Sequence, residues 1–165
     1  MKGTLDRLFS TAAPRAVILI RVAIAFVFVF EGVQKFLYPD ALGAGRFAKI
    51  GIPAPEAMGP FVGVVEIVGG LLVLVGLLTR LGAFALFVDM IVAITSTKIP
   101  IWLGHGFWGF ADPTARTGFL GMAHEARTDI AMLLGCAFLV TVGAGALSLD
   151  ARLRPVTRPE TLRSR

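Results

Sequence analysis

Four apolar runs occupy most of this 165-residue chain: Ala16 to about Leu37, Met58 to Leu78, Leu81 to Ile101, and Ile130 to Leu149. Each reaches the roughly 20 residues that a helix needs to cross a hydrocarbon core. Backbone amides in lipid must find their partners within the protein, which makes helices of such runs. The expected fold is all-α, an integral membrane four-helix bundle over residues 16–150. A cytoplasmic N-terminal segment at 1–15 and a basic cytoplasmic tail at 151–165 flank it. Composition agrees, with 56% hydrophobic and 16% charged residues and a mean hydropathy of +0.79, outside the soluble range. No length remains for a separate soluble catalytic domain. Lys2 and Arg7 precede the first run as in a secretory signal. That run is long for a signal core and no small-residue cleavage pattern follows, so it reads as a retained helix.

The placement of charge sets the expected orientation. Lys2, Arg7, Arg15, Arg80, Arg152, Arg154, Arg158, Arg163 and Arg165 would lie on one side, nine basic residues in all. Six others (Lys35, Arg46, Lys49, Lys98, Arg116, Arg127) are spread over two longer loops opposite. The positive-inside rule then puts both termini in the cytoplasm, in a multi-pass protein of the cytoplasmic (inner) membrane. The basic tail suits anionic lipid headgroups as its partner, and not nucleic acid. The first outer loop, Asp40 to Ala57, contains Gly51-Ile52-Pro53-Ala54-Pro55, which cannot continue a helix. The second, Trp102 to Thr128, is rich in glycine and aromatic residues.

Arg21, Glu66 and Asp89 each fall inside an apolar run. Charge there is costly, so it faces a bundle interior and often marks a functional site. Helical spacing supports this. Gly59, Gly63, Glu66 and Gly70 share one face, as do Gly82, Ala85, Asp89, Ala93 and Ser96, and Arg21, Ala25, Phe28, Gly32 and Lys35. Small residues let membrane helices approach closely, so these stripes are the expected interfaces. At about 1.5 Å per residue, Arg21 lies roughly 7 Å and Asp89 roughly 12 Å from the cytoplasmic side. A structural Arg21–Asp89 ion pair is the expectation. In the outer half, Glu31 and Glu66 lie at matching depth, and Lys35 follows Glu31 by one turn. Two carboxylates sharing one cation favour a proton on one of them. Arg127 and Asp129, with His105 or His124, would close this cluster at the outer mouth.

Other chemistries find little support. The lone Cys136 excludes an internal disulfide and reads as apolar packing. His124 and Glu125 are adjacent, so they do not share a helical face, and no metal site is expected. There is no phosphate-binding glycine loop or nucleophile elbow.

The order and spacing of several motifs resemble the DoxX family of small four-helix membrane proteins. They are Arg21 with Glu31-Gly32-Val33-Gln34-Lys35-Phe36, then Gly51-Ile52-Pro53, then Glu66-Ile67-Val68-Gly69-Gly70-Leu71 with Gly76-Leu77-Leu78-Thr79-Arg80. His105-Gly106-Phe107-Trp108 and Gly143-Ala144-Gly145 with Ser148-Leu149-Asp150 follow, so the likeness runs from about Arg21 to Leu153. It implies a bacterial or archaeal membrane protein associated with quinol oxidase or thiosulfate:quinone oxidoreductase complexes. On that basis Glu66 is the expected proton acceptor, Lys35 its electrostatic partner or carbonyl donor, and Glu31 the second carboxylate. Trp102, Phe107 and Trp108 would flank a quinone ring, with His105 and Asp129 beside it. The chain carries no visible electron carrier of its own, so redox partner proteins are expected, and a homodimer is possible. Two other readings stand: a non-enzymatic scaffold or assembly protein, and a small-solute or proton transporter.

Overall fold

The computed structural model describes residues 13–114 and 116–153. Residues 1–12 and 154–165 lie outside them, and with them most of the two flanking segments expected in the cytoplasm. Among the described residues every regular element is helical. In chain order they are α1 (Val17–Leu37), α2 (Pro39–Leu42), α3 (Ala44–Ile50), α4 (Pro55–Val75) and α5 (Thr79–Ala93). A π-helical turn, Ile94–Lys98, joins α5 to α6 (Ile99–Leu103). Then come α7 (Phe119–Val142) and α8 (Leu149–Leu153).

Among the described residues three helices are long and apolar enough to cross a membrane: α1, α4, and the continuous stretch Thr79–Leu103. The fourth long helix, α7, has 24 residues, but its first half carries His124, Glu125, Arg127 and Asp129. The bundle is two pairs. α1 packs along α4, α5 along α7, and α4 against α5, while α1 touches α7 only lightly. The expected stripes do the packing. Gly59, Gly63, Glu66 and Gly70 are buried on α4, and Arg21, Ala25, Phe28 and Gly32 on α1. A Cβ on Gly32 would sit 2.7 Å from the carbonyl oxygen of Gly63. Any side chain there would wedge the helices apart. Phe26, Phe30, Val64, Val68 and Leu71 point outward, exposed where lipid would lie.

Three expectations change. The first outer loop is largely helical, as α2 and α3, with glycines at both ends of α3 allowing the turns. The last long helix starts at Phe119 instead of Ile130, because its polar first half is amphipathic, turning Ala126 inward. It stops at Val142, where Gly143 takes φ 87°.

The third correction concerns Arg21. It does not pair with Asp89. Its guanidinium, 1% exposed, donates from Nε to Val73 O at 2.8 Å and from Nη2 to Leu74 O at 2.6 Å. Nη1 donates to the carbonyls of Ala144, at 3.1 Å, and Leu147. The last carbonyls of a helix lack intrahelical partners and carry partial negative charge, so the end of α4 attracts a cation that axial depth alone would assign elsewhere. Asp150 completes the junction by accepting from Leu78 N at 2.8 Å and Thr79 N at 3.0 Å, capping the start of α5. Gly76, with φ 72°, makes room: a Cβ there would lie 2.6 Å from Arg21 Nη2.

Candidate functional site

At the other end of the bundle, a cavity of about 390 Å³ opens between the helix pairs. Phe28, Phe47, Met90 and Met132 give it apolar walls, and Lys35, Glu66, Asp89, Lys98 and Asp129 give it charge. Each charged residue has an identifiable placement. Lys35 occupies the last turn of α1, on the stripe that faces α4. Glu66 sits among the interface glycines of α4 and is 3% exposed.

The two meet across the interface. Lys35 Nζ donates to Glu66 Oε1 at 2.9 Å. Oε2 lies 2.6 Å from the ammonium but off the hydrogen-bonding direction. From α5, Asp89 lines the same cavity as Lys35 and Glu66. Asp89 Oδ2 is buried and has no partner among the described residues. Buried polar atoms nearly always have one, so such an orphan marks a site. Lys35, Glu66 and Asp89 are thus gathered on one cavity, with one Asp89 oxygen left as a free acceptor.

A second ion pair lines the cavity, Lys98 Nζ to Asp129 Oδ2 at 3.3 Å. Lys98 is 9% exposed. Pro100 has no amide hydrogen to give the Ser96 carbonyl. Thr97 Oγ1 donates to Ala93 O at 2.6 Å, and Ser96 Oγ to the same oxygen at 3.3 Å. These features accompany the π-helical turn, a form that often appears at functional sites.

A family model described as DoxX matches residues 16–106. The chain belongs to the DoxX family. The uncharacterized membrane protein Rv3486 of Mycobacterium tuberculosis is 52% identical to it over 147 residues, covering 89% of this chain and 86% of the relative. A Haemophilus influenzae protein described only as uncharacterized is 34% identical over 140 residues, covering 83% and 90%. The inner membrane protein YphA of Escherichia coli is 25% identical over 145 residues, covering 87% and 94%. No solved structure matches the chain.

Within this DoxX bundle the expected site residues divide. Glu66, Lys35 and Asp129 line the cavity together. Glu31 also lines it, but exposed, and its charge reaches Glu66 without an ion pair to Lys35. Asp89 takes the place expected of Glu31. Trp102, His105, Phe107 and Trp108 lie away from the cavity wall. Trp102 and Trp108 are exposed, and His105 Nδ1 contacts the Gly106 carbonyl of its own loop at 2.7 Å. Asp129 meets Lys98 instead of a histidine, while Arg127 Nη1 donates to the His124 carbonyl. Cys136 is fully buried in the apolar core. Lys98 was the residue missed, and the Ser96-Thr97-Lys98-Ile99-Pro100 run was its only sequence signal.

Proposed function

We propose that this DoxX protein spans the cytoplasmic membrane four times, with both termini in the cytoplasm, and serves as a subunit of a quinone-linked redox complex. Its cavity would take the quinone headgroup and its protons. The observation that carries this reading is the gathering of the Lys35–Glu66 ion pair and half-buried Asp89 on an apolar-walled cavity. Pockets of this volume, mostly apolar with a few convergent polar groups, suit small organic ligands. The residues fit a quinone: ammonium groups to meet carbonyl oxygens, paired carboxyls to exchange protons, and Phe28, Met90 and Met132 against the ring.

When bound, a quinone supplies two-electron, two-proton redox chemistry, with electrons from a partner protein. The chain's own part is protonic. Lys35 fixes the Glu66 carboxylate through Oε1. Glu66 and Asp89 hold a proton between them and pass it to, or take it from, a ligand oxygen at the free face of Asp89. Apolar side chains from α1, α5 and α7 keep bulk water off the pair, which strengthens each of these interactions.

Mass spectrometry of lipids extracted from the protein in mild detergent tests the reading. Near-stoichiometric quinone is expected in the parent chain, with loss in Glu66→Gln at a similar thermal midpoint. A folded parent chain that carries no quinone would remove the redox reading and leave a scaffold.

A further inference from the structure

The two ion pairs belong to different halves of the bundle. Lys35–Glu66 ties α1 to α4, and Lys98–Asp129 ties the π-helical turn to α7. The cavity is lined by both halves. Their bonding differs. The Lys35 ammonium donates to Glu66 Oε1 at 2.9 Å and has Oε2 at 2.6 Å. Lys98 has one ion-pair contact among the described residues, Asp129 Oδ2 at 3.3 Å, and makes no bond of hydrogen-bond geometry there. An ammonium carries three donors. Lys98 thus brings unused donors to the cavity, just as Asp89 brings an unused acceptor.

Local backbone form puts it there. On an uninterrupted α-helix at about 100° per residue, positions nine apart, such as Asp89 and Lys98, lie on opposite faces. The π-helical turn takes up more residues per turn and swings Lys98 back toward the face of Asp89. Thr97 and Ser96 steady that turn through Ala93 O.

The geometry points to Lys98 as a second ligand-binding residue, so that the cavity takes a flat ring with an oxygen at each of two positions and the ligand bridges the helix pairs. One ring oxygen accepts from Lys98, and the other, as a hydroxyl of the reduced ring, donates to Asp89 Oδ2. Asp129 positions Lys98 and keeps its charge from being buried alone. This inference rests on the quinone reading and adds the two-oxygen requirement to it.

Calorimetric titration in mild detergent under reducing conditions, with a decyl-substituted 1,4-hydroquinone and a decyl-substituted phenol, a ring with one oxygen, tests the idea. The parent chain is expected to bind the two-oxygen ring about tenfold more tightly, the worth of one hydrogen bond from a charged donor. Lys98→Met should erase that margin and Lys98→Arg should restore most of it. If Lys98→Met does not fold, the Lys98→Met, Asp129→Leu double variant, which buries no lone charge, replaces it with the same expected loss. A parent chain that binds neither ring would end the quinone reading itself. A parent chain that favours the two-oxygen ring, with a Lys98→Met or double variant that favours it equally, would overturn the role of Lys98 alone.

Discussion

Each end of the bundle buries charge, and each end treats it differently. Near the chain termini the Arg21 guanidinium is met by four backbone carbonyls, while Asp150 accepts two amide hydrogens. In the cavity the charges are also sheltered, yet Asp89 Oδ2 has no partner and Lys98 has one loose one among the described residues. Removing a member of the first arrangement orphans the carbonyls or amides it meets, so that end resists change. In the second, the unpartnered Asp89 oxygen calls for an explanation, which the proposed ligand supplies. On that reading the two ends differ in how their charged groups are partnered, and not in burial.

The contrast can be broken most directly at Arg21. Arg21→Met should cost about 3–5 kcal/mol, since it orphans helix-end carbonyls in the core. The thermal midpoint in detergent would fall sharply, and an unchanged midpoint would deny the junction its role. Gly76→Ala should cost roughly 2 kcal/mol, through the positive φ and the displaced guanidinium. A normal melt for this variant would show that the turn has another way to accommodate a Cβ. At the cavity the order reverses. Asp89→Asn should leave stability within about 1 kcal/mol of the parent, because it removes a charge with an unfilled acceptor. It should nevertheless abolish quinone-coupled turnover in the assembled complex. A large drop in stability with turnover intact would make the cavity cluster structural, like the other end.

Much of the bundle was legible because glycine stripes and apolar runs report helix faces directly. Gly59, Gly63, Glu66 and Gly70 fell on one buried face as their spacing requires. The Arg21–Asp89 pairing failed for a physical reason. Matching depth compares side chains with side chains, whereas the acceptors of Arg21 are main-chain carbonyls at a helix end and in the turn after Gly143. That turn stayed hidden because hydropathy runs on smoothly from Val142 to Leu149. Lys98 was missed because fixed periodicity cannot anticipate a π-helical turn. Asp89 lay on the correct stripe, but its assignment to Arg21 took it away from Glu66, and Glu31 was put in its place.

The carbonyls around Arg21 come from residues 73 and 74, and from residues 144 and 147. The two pairs stand 70 residues apart in the chain, from Leu74 to Ala144. Until Ala144 and Leu147 are made, the Arg21 guanidinium has half of its acceptors. The first long helix therefore reaches its final free energy late in synthesis, once nearly the whole domain exists.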